Sequence, residues 1–268
     1  MITKFFKSVF EEGNVALITS THPDYTSNLE DWKKYRLTFE GGHDFVDEYL
    51  KQFSTKENAT DFANRKEITY CPAHAKAALT DIKNSIYQRL VDIKRTNGPD
   101  NYQKAIKGED NGVDYNGNSM NSFIGRVVLP ELLSMAKIGV YIDKDPLESG
   151  ASKAAARNLR PYVYAYTAES IRSWTIDKTG RFTALLLEDT LPVVDASTGL
   201  TINTSVGYRH LQLVDDKVNI NTYDSKGVQL DSAEINLPII PFVLFELKTS
   251  KAVPSNRFSP SCVPTHNE

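Results

Sequence analysis

The chain has 268 residues, 40% hydrophobic and 24% charged, a balance near the globular average that predicts a packed core in one large domain or two modest ones. Its formal net charge of -3 excludes the concentrated basic footprint of a tight, sequence-independent nucleic-acid binder, while leaving DNA open as a loose neighbour. Two cysteines, Cys71 and Cys262, are too few and too distant for a disulfide framework and fit a reducing compartment.

Met1 to Phe10 lacks the continuous apolar core and cleavage site of a signal peptide. No apolar run approaches the roughly 20 residues of a membrane span. The longest, Leu237 to Leu247, is interrupted by Pro238, Pro241 and Glu246. Asn28 is the expected N-cap of a first helix with Leu29, Trp32, Arg36 and Phe39 on one face. Gly41-Gly42 ends it, and Phe45, Tyr49 and Phe53 continue the period. The clearest helix is expected from Pro72 to about Arg95, where Ala75, Leu79, Ile82, Ile86, Leu90 and Ile93 form one apolar stripe. Thr96-Asn97-Gly98-Pro99 stops it, and the polar residues from 96 to 121 read as a long surface loop.

A helix capped near Ser122 follows, with Phe123, Val127 and Leu132 inward and a kink expected at Pro130. It feeds a short strand, Gly139 to Ile142. Glu148 to Arg157 reads as a flexible connection, after which the pattern turns to β. Tyr162 to Ala165, Phe182 to Leu187, Leu211 to Val214 and Val218 to Ile220 are strand-like, with turn signals at Asp215-Asp216-Lys217 and Asp224 to Gly227. The expectation is an α+β fold, a helical N-terminal half packed on a mostly antiparallel sheet. Residues 1–150 form the helical part ending in a short strand, 151–250 the β part, and 251–268 a disordered tail.

The motifs that carry catalysis are sparse. His22, His43, His74, His210 and His266 are scattered, and neither cysteine has a partner at a closed zinc-site spacing. No phosphate-binding loop, dinucleotide fingerprint or nucleophile elbow occurs. The run from Glu109 to Asp114 lacks the ligand offsets of a calcium loop. One segment supports an enzymatic alternative: Phe242 to Leu247 is an apolar strand ending in Glu246-x-Lys248, with Asp231 upstream. A Mg²⁺-dependent nuclease of the restriction type would use those carboxylates for the hard cation and Lys248 near the attacking water. The competing and preferred reading is a buried strand whose Glu and Lys emerge at its exposed end. Tyr162, Tyr164, Tyr166 and Trp174 are the candidates for base stacking; the three tyrosines alternate onto one strand face, and no Arg or Lys is expected beside them, so packing is favoured.

Several segments, in order, resemble one family of tailed-bacteriophage portal proteins, a group long catalogued as a domain of unknown function. They are His22-Pro23-Asp24-Tyr25 with Trp32; Phe123 to Leu133 running into Gly139-Val140-Tyr141-Ile142-Asp143; and Arg160-Pro161-Tyr162. The most specific is Tyr166-Thr167-Ala168-Glu169-Ser170-Ile171-Arg172-Ser173-Trp174. Leu185 to Glu188, Tyr208 to Asp215 and Ile240-Pro241-Phe242-Val243 complete the series. The resemblance spans roughly residues 22 to 247 and corresponds to the portal wing.

The resemblance implies a non-enzymatic structural subunit, a head–tail connector assembling about twelve copies in a closed ring at one capsid vertex. Its implied partners are other portal subunits, capsid and scaffolding proteins, terminase, and tail or adaptor proteins. Double-stranded DNA would pass without sequence recognition, and no membrane is involved. It implies a place in the virion, with the host cytoplasm as the site of assembly. No cofactor, metal or catalytic residue carries over, because the signature is structural. The family's stem, clip and crown have no counterpart before Glu268, so a truncated portal is the expectation.

Overall fold

The computed structural model describes residues 14–89, 96–144 and 160–247. The fold is α+β, with helices preceding two antiparallel sheets. The expectations for Met1 to Phe10, for Glu148 to Arg157 and for the tail at 251–268 lie outside the described residues.

The first long helix, α1 (Pro23–Glu40), starts earlier than a cap at Asn28 would allow. Pro23 suits the first turn because its missing N–H would have no partner there. The His22 Nδ1 accepts the Asp24 N–H at 3.1 Å. The break at Gly41-Gly42 is as expected. Gly41 has φ +66°, and a Cβ there would lie 2.8 Å from the Cys71 carbonyl oxygen, so the turn requires glycine twice over.

Helix α2 (Gly42–Tyr49) buries Val46. It ends before Phe53, which is exposed rather than continuing the face. Helix α3 (Ala59–Ile68) was not expected; Asn58 caps it by accepting the Asp61 N–H at 2.8 Å.

Helix α4 (His74–Tyr87) lies inside the span read from Pro72 to Arg95. Leu90 and Ile93 fall outside the described residues. The stripe is not a core face: α4 contains no buried residue, and Ile82 and Ile86 are 48% and 39% exposed. Spacing specifies which side chains share a face, but not whether anything covers it.

The segment from 96 to 121 is not a single loop. It contains α5 (Asp100–Lys107), which buries Ala105 and Ile106 and ends at Gly108 in the left-handed conformation. Ser119 then accepts the Ser122 N–H and caps α6 (Met120–Phe123). A π-helical turn, Ile124–Val128, joins α6 to α7 (Leu129–Met135). Pro130 sits in the first turn of α7, directly after the π-helical turn.

Strand β1 (Lys137–Lys144) is flanked by β2 (Pro161–Thr167) on one side. Its other neighbour is β8 (Phe242–Glu246), more than ninety positions downstream, so the sheet order is β2-β1-β8. Val113, Phe123, Val128, Ile138, Val140 and Val163 form a core beside it.

The second sheet is a meander, β3-β4-β5-β6-β7. Its strands are β3 (Ile171–Ile176), β4 (Phe182–Val194), β5 (Thr201–Val214), β6 (Lys217–Asp224) and β7 (Gln229–Ile235). Asp215 and Asp216, with φ of 49° and 59°, make the two-residue turn between β5 and β6.

The chain divides into two compact units. Among the described residues, one holds 28–89, 96–144, 160–168 and 242–247; the other holds 14–27 and 169–241. The division differs from the expected boundary at 150. Strands β2 and β8 complete a sheet whose middle strand follows α7, and the segment 14–27 belongs with the meander. No helix among the described residues is long and apolar enough to cross a membrane.

Candidate functional site

One interlocked group of side chains lies in the meander unit, and it is built from four of the signature segments. The β3–β4 pairing runs Ile171 to Leu187, then skips Arg172 and resumes with Ser173 to Leu186. This bulge frees Arg172 from strict alternation. Its Nη1 donates to Glu188 Oε2 at 2.9 Å. Its guanidinium lies over the rings of Tyr25, at 5.2 Å, and Tyr208, at 5.9 Å. Its carbonyl accepts the His22 N–H at 2.9 Å. The His22 imidazole in turn stacks on Trp174, with centroids 3.9 Å apart and planes 15° apart.

Electrostatics favour a neutral Tyr25. Burial pushes its phenol up, the Arg172 charge and hydrogen bond oppose that, and Glu188 and Glu169 add to the rise. A phenol held neutral beside an arginine already paired to a carboxylate serves as a packing group. The cluster fastens the His-Pro-Asp-Tyr segment to the sheet. A conventional spacing rule misses the Arg172–Glu188 pair because it crosses strands at a bulge.

The tyrosine row lies in the other unit. Tyr162 is 4.8 Å from Tyr115 and 6.0 Å from Tyr164, which is 5.4 Å from Tyr166 and 5.3 Å from Tyr141. Tyr166 and Tyr141 are buried. The expectation that no cation accompanies the row is corrected: the Arg160 guanidinium lies 5.0 Å from the Tyr115 ring. Arg160 also borders an open cleft of about 300 Å³ with Asp100, Asn101, Lys104 and Asp110. That lining mixes both signs of charge and so presents no focused field.

Two of the three residues of the nuclease alternative are described, and they belong to different units. Asp231 is an exposed residue of β7 whose carboxylate accepts the Ser232 N–H at 2.8 Å. Glu246 ends β8 in the other unit and pairs with Lys137 at 3.0 Å. Lys248 lies outside the described residues. Among the described residues, no three of His, Cys, Asp and Glu converge as a metal site. Asp114, in the run compared with a calcium loop, accepts from the Asn118 side chain at 2.8 Å and from the Asn116 backbone at 3.1 Å. Burial alone would raise its carboxyl, but these bonds outweigh that and lower it.

No protein-family model matches the chain, and no curated protein matches it, so the residues themselves carry the functional reading.

Proposed function

We propose that the chain is a structural subunit of a tailed-bacteriophage portal, contributing wing architecture to a ring at one capsid vertex. The observation that supports this is the convergence at Arg172. Signature residues far apart in sequence, His22, Tyr25, Arg172, Trp174, Glu188 and Tyr208, meet in one cluster. A signature whose members pack on each other is the kind a structural family retains to specify a fold. Capsid, terminase and tail proteins are the partners this reading implies, with DNA as passing cargo.

Electron microscopy of the purified protein tests it. Closed rings are expected across a concentration series. Particles that remain smaller than a ring at the highest soluble concentration, or open filaments, count against the proposal. The same preparation is expected to leave supercoiled DNA intact with Mg²⁺.

A further inference from the structure

The dipeptide Asn-Gly occurs at Asn97-Gly98, Asn111-Gly112 and Asn116-Gly117. In such a pair the glycine nitrogen can attack the asparagine side chain, because no Cβ on the glycine blocks the approach. The nitrogen gives up its proton as the new bond to Cγ forms. The bond from Cγ to Nδ2 breaks, and ammonia leaves with that proton. Water then opens the five-membered imide at either carbonyl carbon, its hydroxyl going to carbon and its other proton to nitrogen. The product is an aspartyl residue or, where the main chain now runs through the side chain, an isoaspartyl residue. The reaction needs no oxidant and no cofactor.

Exposure does not separate the three sites, since all three asparagines are exposed. The fold separates them by what it does with the attacking nitrogen. The Gly117 N–H donates to the Asn111 carbonyl oxygen at 2.7 Å. The leaving amide of Asn116 is held as well, its Nδ2 donating to the Asp114 carbonyl oxygen at 3.2 Å. The Gly112 N–H donates to the Glu109 carbonyl oxygen at 3.0 Å. Gly112 is also tightly seated: a Cβ there would lie 2.4 Å from both the backbone N and O of Asn118. An N–H already paired must leave its acceptor before the nitrogen can attack, and a confined peptide has little room to turn toward its own side chain.

Asn97-Gly98 lacks both protections. Among the described residues, no hydrogen bond engages the Gly98 N–H or the Asn97 carboxamide. The Asn97 backbone carbonyl accepts the Gln103 Nε2 at 2.8 Å, which leaves the reacting groups untouched. Helix α5 begins only at Asp100, so no helical pairing takes up the Gly98 N–H.

We infer that Asn97 is a site of spontaneous deamidation in the folded protein, and that the fold shields Asn111 and Asn116 from the same reaction. The new carboxylate arises just ahead of α5, at the helix end that favours negative charge, so α5 is retained. The modification does not rest on the portal reading.

The test incubates the full chain in mildly alkaline buffer at physiological temperature and follows each site by mass spectrometry. Brief tryptic digestion at mildly acidic pH separates Thr96–Lys104, which holds Asn97, from Gly108–Arg126, which holds the other two. Fragmentation of the second peptide then distinguishes Asn111 from Asn116. Conversion at Asn97 is expected to be about tenfold faster than at either, because local opening must precede reaction there. In concentrated guanidinium chloride the three rates are expected to fall within about threefold of one another, since the unfolded chain keeps none of these bonds. Conversion at Asn97 no faster than at the other two in the folded chain, including none at all, overturns the inference. A preference for Asn97 that survives unfolding also overturns it, by assigning the difference to local sequence.

Discussion

His22 lies flat on Trp174, with ring centroids 3.9 Å apart, so a residue just before α1 is clamped to the third strand of the fold. Trp174→Ala is expected to cost about 2–3 kcal/mol, below or at the low end for a fully buried tryptophan because this one is half-buried. The stack itself is worth roughly 0.5–1.5 kcal/mol. A double-mutant cycle with His22→Ala, read by urea unfolding, measures that coupling. Additive losses would show that the two rings are neighbours without being partners.

Arg172 and Glu188 form a pair in which both side chains keep some solvent contact, 21% and 30%. Removing one member of a buried pair costs 3–5 kcal/mol, and partial exposure discounts this to about 1–3 kcal/mol for Arg172→Ala. Arg172→Lys keeps the charge but loses the flat guanidinium over Tyr25 and Tyr208. It should recover less than half of the loss. Full recovery in chemical denaturation would assign the effect to charge alone.

Gly125, in the π turn, faces the ring of Tyr87 at the end of α4. A Cβ on Gly125 would lie 2.2 Å from the Tyr87 Cε2. Alanine is the better helix former, but the ring must move, and overpacking of this kind costs about 1–3 kcal/mol. Gly125→Ala is therefore expected to destabilise. Tyr87→Ala in the same chain should remove most of that penalty, leaving the double variant well short of the sum. The check is the midpoint of thermal unfolding in all three variants.

His210 sits in β5 opposite Leu186 and Asn221, and burial lowers its pKa below the ordinary histidine value. The unfolded chain thus takes up the proton at higher pH than the folded chain. The stability associated with neutral His210 is complete above about pH 6.5. It is lost as pH falls through the depressed folded value. His210→Gln should flatten the stability profile below about pH 6.5. An unchanged slope would place the acid sensitivity elsewhere.

Ile82 and Ile86 are exposed along α4. Ile82→Ala should change the unfolding free energy of the single chain by no more than about 0.5 kcal/mol, as at other surface positions. A loss of 2 kcal/mol or more would mean that this face is covered in solution.

The sequence determined the local events by itself. The Gly41-Gly42 break is written in the residue types, because Gly41 needs positive φ and has no room for a Cβ. The Asp215-Asp216 turn is legible for a related reason, since Asp tolerates the left-handed conformation there. The α+β character followed from the change in period between the two halves. Part of the Arg172 cluster was legible as a motif, but not as a contact.

Only the tertiary structure decided three things. It brought β8 to β1, a pairing between segments far apart in the chain that no local pattern encodes. It left Ile82 and Ile86 of the α4 stripe exposed, because periodicity selects a face while burial depends on what else arrives there. It also let β4 and β5 run on past the last pairings of β3 and β6 among the described residues, since strand length is visible in sequence but the length of the neighbouring strand is a property of the pair.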